Sequence, residues 1–147
     1  VTRTANNVVA SRNGIDIPAI SISRISDLEK YEADVYCIDE FQFLKGNVKV
    51  IEQMADCGKK FFIAGLNLTA EKKPFGKMAD LLCISDNVHM LTAICDNCKN
   101  ENAVLSYYKG GKDTDIAIGD REYMALCRHC YDILSRQDEL NRTQAQA

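Results

Sequence analysis

Apolar residues fall along this chain in short continuous runs separated by stretches of helical spacing, and that pattern predicts a series of elements. Residues 17–22 (Ile-Pro-Ala-Ile-Ser-Ile) read as a short strand, with Pro18 placing its start at a sheet edge or strand end. Ser26 followed by Glu29 forms a capping-box pattern that opens a brief helix through Leu28 and Tyr31. Val35-Tyr36-Cys37-Ile38 is a continuous apolar run of the kind found in a parallel strand covered on both faces, and it stops at Asp39-Glu40. Asn47 can cap a helix in which Val48, Ile51, Met54 and Ala55 recur at helical spacing, with Gly58 as its left-handed stop. Residues 60–64 (Lys-Phe-Phe-Ile-Ala) form a second buried strand, and strand, helix, strand in that order predicts a right-handed crossover in a parallel sheet. The polar loop from Gly65 to Gly76 then lies at the carboxyl end of that strand, where such sheets bind ligands. A short helix (Lys77 to Cys83) and a strand (Val88 to Ile94) complete the α/β portion.

From Cys95 the texture changes. Two Cys-x-x-Cys pairs, Cys95/Cys98 and Cys127/Cys130, flank 28 residues rich in Gly, Asp, Lys and Tyr, which predicts a zinc-ribbon-like subdomain carrying a long loop. The expected plan is an α/β core over 1–94, a zinc-binding subdomain over 95–134, and a polar, Gln-rich tail over 135–147 that is a frayed helix or disordered. A length of 147 residues, 46% of them hydrophobic, suffices for one core and a small appended module. A net charge of −3 with no basic run gives no reason to expect nucleic-acid or membrane binding as the main task. No stretch approaches the roughly 18 consecutive apolar residues of a membrane span, and the first residues lack a secretion-signal pattern, so a cytoplasmic location is expected. Seven cysteines, an odd total, agree with a reducing compartment. Cys37, Cys57 and Cys83 lie in apolar stretches and are expected as buried thiols.

Two thiolates three residues apart grip one side of a tetrahedral ion, and two such pairs close the site, so a metal held by Cys95, Cys98, Cys127 and Cys130 would be structural. Redox-active Cys-x-x-Cys, disulfides and chance are the competing readings; a redox motif needs only one pair, and disulfides suit another compartment. His129, between two of the ligands, reads as a bystander. Asp39-Glu40 at a buried strand's end resembles an arrangement in which one acid holds Mg²⁺ and its neighbour accepts a proton, yet exposed acidic pairs after strands are common. The loop from Leu66 to Gly76 is either an ordinary turn around Pro74-Phe75-Gly76 or a ligand wall in which Phe75 stacks on a base. Tyr107 and Tyr108 read as ribbon packing.

These pieces, in this order, resemble the zinc-containing thymidine kinase family. The motifs are Ile-Asp-Glu-x-Gln-Phe at 38–43, Lys-Pro-Phe-Gly at 73–76, Leu-Thr-Ala-Ile-Cys-x-x-Cys at 91–98 and Tyr-x-x-x-Cys-Arg-x-Cys at 123–130. The resemblance runs from about residue 2 to residue 131 and includes Thr2-Arg3 and Ser11-Arg12-x-Gly14. It implies a P-loop-NTPase-like parallel sheet, without its N-terminal strand and phosphate loop, followed by a zinc-ribbon-like subdomain with a lasso loop. It also implies ATP-dependent phosphorylation of the 5′-hydroxyl of thymidine, with deoxyuridine as an alternative substrate, in deoxynucleotide salvage, with Glu40 as general base and Asp39 as the magnesium-linked acid. Phe43, Leu66, Thr69 and Phe75 would wall the nucleoside pocket. Ile116, Ile118 and Gly119 of the lasso would close over the base, with Tyr123 at the sugar and Ser106 near the base. Structural zinc, Mg²⁺ and ATP, a homotetramer, and thymidine triphosphate as a feedback inhibitor are implied in the same way.

The sequence departs from the family's pattern in places. No Gly-x-x-x-x-Gly-Lys-Ser/Thr occurs, Val1 stands where an acid is usual, Leu68 replaces a glycine, and Ala70 replaces an aromatic. Phe41 fills a variable slot. Without a phosphate cradle the chain is expected to be a fragment of a longer polypeptide and poorly active alone. The alternative is a catalytically inactive nucleoside- or nucleotide-binding regulatory module.

Overall fold

The computed structural model describes residues 8–10, 14–109 and 122–145. The chain divides into two compact units, Val1–Asn67 with Pro74–Asp86, and Leu68–Lys73 with Asn87–Ala147.

In the first unit, strands β1 (Val8–Ala10) and β2 (Asp16–Pro18) form an antiparallel ribbon, with Val9 opposite Ile17. The expected strand over 17–22 is therefore shorter and earlier, and Pro18 ends it rather than starting it, because proline has no N–H for a further rung. A 3₁₀ helix, Ile25–Lys30, follows. It starts one residue before the expected Ser26 cap: the Arg24 N–H donates to Asp27 Oδ2 at 3.0 Å, so Asp27 holds the first turn. Ile25 and Leu28 point from it into the core.

Strands β3 (Val35–Ile38) and β4 (Lys60–Ile63) pair in parallel, with Tyr36 opposite Phe61 and Ile38 opposite Ile63. Between them lies helix α1 (Lys49–Asp56), where the Lys49 N–H donates to the Asn47 side chain at 3.0 Å and Gly58 takes φ +88° at the exit. The strand–helix–strand order, the parallel pairing and the Gly58 stop thus hold, while the helix's cap position falls on Val48, one residue after Asn47. Tyr36 and Phe61 stack at 5.0 Å and join Phe41, Leu44, Val48, Ile51, Met78 and Leu81 in the core. Helix α2 (Met78–Ile84) supplies the last two.

Among the described residues the β3–β4 pair is covered on one face rather than two. Val35 and Phe62 are 48% and 66% exposed, and Cys37 lies on the same open face. The cysteines depart from expectation accordingly: Cys37, Cys57 and Cys83 are all exposed, since strand alternation turns Cys37 outward and the other two sit on the outer sides of helix ends.

In the second unit, β5 (Leu105–Tyr108) and β6 (Tyr123–Leu126) form an antiparallel pair, and helix α3 (Arg128–Ala145) runs on from the second cysteine pair. The tail expected from residue 135 is the continuation of this helix as far as Ala145. The strand expected over 88–94 is absent. A single bridge joins Ala93 to Ala103, and Leu91 is 87% exposed, because an apolar run becomes a strand only where a neighbour supplies a ladder of hydrogen bonds. Among the described residues no helix is long and apolar enough to cross a membrane.

Candidate functional site

In the first unit β3 delivers Asp39 and Glu40 to its carboxyl end. Glu40 is one of three non-glycine residues at positive φ among the described residues, with φ 54° and ψ 40°. That left-handed conformation is unfavourable for a side chain with a Cβ and persists only where neighbours hold it. Here the Glu40 N–H donates to Asp39 Oδ1 at 2.9 Å, and the Glu40 carbonyl accepts from Phe43 N–H at 3.1 Å. The kink turns the chain into a single 3₁₀ turn, Phe41–Phe43. Phe41, assigned to a variable slot from sequence, is fully buried and donates its N–H to the Ala64 carbonyl at 3.1 Å, which ties the turn to the end of β4.

Gln42 was not singled out by sequence, although a polar residue within Phe-Gln-Phe-Leu is the signal that finds it. It is 3% exposed. Its Nε2 donates to Glu40 Oε2 at 2.6 Å and its Oε1 accepts from Leu66 N–H at 3.0 Å. Phe43 and Phe75 meet edge to face with centroids 5.3 Å apart, so Lys-Pro-Phe-Gly places an aromatic beside the acidic turn, and Phe43 remains 37% exposed. Leu66 is 51% exposed. Glu40, Phe43, Leu66 and Phe75 are therefore neighbours in one unit, around Gln42.

In the second unit the four cysteines converge. Their Sγ atoms all lie within 4.8 Å of one another, with Cys98 to Cys127 at 3.9 Å. Tetrahedral zinc with bonds of about 2.3 Å needs sulfurs about 3.8 Å apart, so the donor set fits such an ion with all four positions filled by protein. Cys95, Cys127 and Cys130 are buried. Burial opposes ionisation of Cys95, yet N–H groups of Cys127, Cys98 and Asn97 aimed at its sulfur outweigh it and draw its pKa down to about 6. Cys130 is pushed up to about 11: the Asn97 side chain favours its thiolate, while burial and the neighbouring sulfurs of Cys127, Cys98 and Cys95 oppose it. The knuckle is braced by Asp96, whose backbone and carboxylate bond Ala125 at 2.8 and 2.7 Å. His129 is exposed and outside the cluster.

Thr69 belongs to this unit. Its Oγ1 accepts from Lys73 N–H at 3.3 Å and its N–H donates to the Lys73 carbonyl at 2.9 Å, closing a tight turn. Tyr131, which sequence reasoning passed over, donates to the Ala70 carbonyl at 2.7 Å and carries the Lys72 ammonium 4.0 Å above its ring. Ser106 lies in β5 opposite Ala125, and Tyr123 in β6 packs on Tyr108 at 5.3 Å. Tyr107 packs edge to face on Tyr131, in keeping with a packing role. Ile116, Ile118 and Gly119 lie outside the described residues.

A family model described as thymidine kinase matches residues 1–131. A thymidine kinase of Mycoplasma mobile is 36% identical over 135 residues, covering 88% of this chain and 67% of that protein. One of Pseudothermotoga lettingae is 32% identical over 136 residues, covering 89% and 74%. An acidic strand end beside a Pro-Phe-Gly loop, a four-cysteine cluster that agrees with the zinc-containing type, and these matches together establish that the chain belongs to the thymidine kinase family.

Proposed function

We propose that this chain carries the catalytic carboxylate and nucleoside-binding part of an ATP-dependent thymidine kinase. The observation that carries the reading is the Glu40 carboxylate on a kinked strand end, with Phe43, Phe75 and Leu66 around it. Phosphoryl transfer asks a protein for positioning and charge neutralisation more than for covalent chemistry. Glu40 takes the proton of the thymidine 5′-hydroxyl as that oxygen attacks the γ-phosphorus of ATP and ADP leaves. The Asp39 carboxylate, exposed beside it, would hold Mg²⁺ directly or through water. Bound there, that ion offsets charge on the phosphate oxygens.

The edge-to-face pair Phe43–Phe75 offers apolar surface to base and sugar, with Leu66 and Thr69 in the same loop. Ser106, Ile116, Ile118, Gly119 and Tyr123 are assigned to the lasso side of the nucleoside. Cys95, Cys98, Cys127 and Cys130 would hold structural zinc at the two ends of the 28-residue segment that contains the lasso. The parallel pair β3–β4 with its crossover helix supports a P-loop-NTPase-like sheet. A homotetramer and inhibition by thymidine triphosphate complete the proposal.

Thymidine-dependent ATP consumption by a polypeptide that joins this chain to a phosphate loop tests it, with Glu40→Gln as the decisive variant. The glutamine keeps the shape and loses the base, so kcat should fall by roughly 10²-fold or more while thymidine binding stays nearly unchanged. Unchanged turnover would remove Glu40 from the role of base.

A further inference from the structure

Among the described residues Gln42 is the only polar side chain in the buried set. Its two bonds are of opposite sense: Nε2 donates to Glu40 Oε2, and Oε1 accepts from Leu66 N–H. A carboxylate can only accept and a backbone N–H can only donate, so a neutral bridge between them needs one group that does both, as a primary amide does. Space around Gln42 is tight where two glycines approach it. A Cβ at Gly65 would stand 2.6 Å from Gln42 Oε1 and 3.2 Å from Met78 Sδ, and a Cβ at Gly76 would stand 2.1 Å from the Gln42 carbonyl oxygen. The backbone of the 65–76 loop is thereby fitted against Gln42 at two points. On the other side, Glu40 sits in a left-handed conformation that its neighbours must maintain.

We infer that Gln42 is a positioning residue whose buried amide ties the Glu40 carboxylate to the Leu66 backbone, so that the proton acceptor and one wall of the nucleoside loop are held as a single piece. This rests on Glu40 as the base. The amide occupies Oε2 and fixes the carboxylate's direction; the same side chain fixes where Leu66 meets the nucleoside. Misplacing a reacting group by about 1 Å costs on the order of 100-fold in rate, so the tie acts on turnover without touching substrate.

Two variants of similar size separate the halves of the bridge. Gln42→Glu still accepts from Leu66 N–H but sets a carboxylate against Glu40, and Gln42→Met loses both bonds. Steady-state kinetics with thymidine and ATP, together with amide hydrogen exchange at Leu66, should show kcat down roughly 10- to 100-fold for Gln42→Glu, with thymidine KM and Leu66 exchange near the parent values. For Gln42→Met, KM should rise and Leu66 exchange quicken as well. A purely structural role would instead lower Tm and leave kcat and KM of the folded fraction together. Gln42→Glu turning over within about twofold of the parent, or both variants giving the same KM and Leu66 exchange, overturns the inference. Should Gln42→Met not fold, Glu40→Ala leaves position 42 intact: the Gln42 side-chain NH₂ resonances should shift and exchange faster, and unchanged resonances overturn the tie. No thymidine turnover in a parent polypeptide that supplies the phosphate loop, or full turnover by Glu40→Gln in it, sinks the reading of Glu40 and the inference with it. Loss of turnover in Glu40→Gln alongside normal Gln42→Glu removes the inference alone.

Discussion

Gly76 provides a measurement of how tightly the candidate nucleoside loop is fitted to the acidic turn. It has φ +53°, and a Cβ there would lie 2.1 Å from the Gln42 carbonyl oxygen, 3.0 Å from its carbon and 3.4 Å from its Cα. The obstacle is backbone, so no rotamer change relieves it; the loop or the 3₁₀ turn must move by about 1 Å to restore van der Waals distance. Gly76→Ala therefore combines a left-handed penalty of about 1–2 kcal/mol with an overpacking cost of about 1–3 kcal/mol, for a destabilisation of about 2–5 kcal/mol. Gly58 separates the two contributions. Its φ is +88°, and a Cβ there meets nothing within 4 Å, so Gly58→Ala should show the conformational cost alone, about 1–2 kcal/mol. Urea unfolding followed by far-ultraviolet circular dichroism suits a chain with no tryptophan. Gly76→Ala should also weaken thymidine binding, because the Phe75 ring shifts with the loop, while Gly58→Ala should not. Equal destabilisation by the two substitutions would refute the steric fit of Gly76 against Gln42.

Cys98→Ser should abolish stoichiometric zinc and unfold the β5–β6 hairpin around Leu126, measured by metal release to a colorimetric chelator and by loss of slow-exchanging amides in 105–108 and 123–126. Lowering the pH should release the same metal from the intact protein, since protons compete for thiolates; metal retained at strong acidity would contradict thiolate ligation. Tyr107 is held neutral by burial and by its hydroxyl's donation to Asp138, which push its pKa up to about 12 from 10.0. The raised value means that this phenol's contribution to stability is complete below pH 10 and is lost as pH rises from about 10 to about 12. Absorbance at 295 nm should show a tyrosine titrating near that upper limit, missing in Tyr107→Phe; an unaltered titration curve would reassign the group.

What could be read from sequence was local. A Cys-x-x-Cys pair is a ligand fork within one turn, Asn47 and Gly58 act on the backbone next to them, and β3 and β4 are apolar runs between polar stops, so each was visible in a window of a few residues. The acidic pair at the end of β3 and the Pro-Phe-Gly loop belong to the same class, and their order along the chain pointed to the family that the comparisons establish.

Tertiary structure decided whatever depends on a partner distant in the chain. Val88–Ile94 has the composition of a strand, but a strand exists only when paired, and here only Ala93 finds a bridge. Cys37 and Phe62 read as core from their runs, and the open face of a two-stranded pair leaves them exposed. Phe41 looked interchangeable until the end of β4 closed over it. Gln42 stood out only as a polar residue in an apolar run, and its two partners were hidden, because an amide gains significance only when a carboxylate two residues before it and an N–H 24 residues after it arrive at its two ends. Local spacing determines which groups the chain can present; long-range packing determines which of them meet, because burial and hydrogen bonding reward pairs that no short window contains.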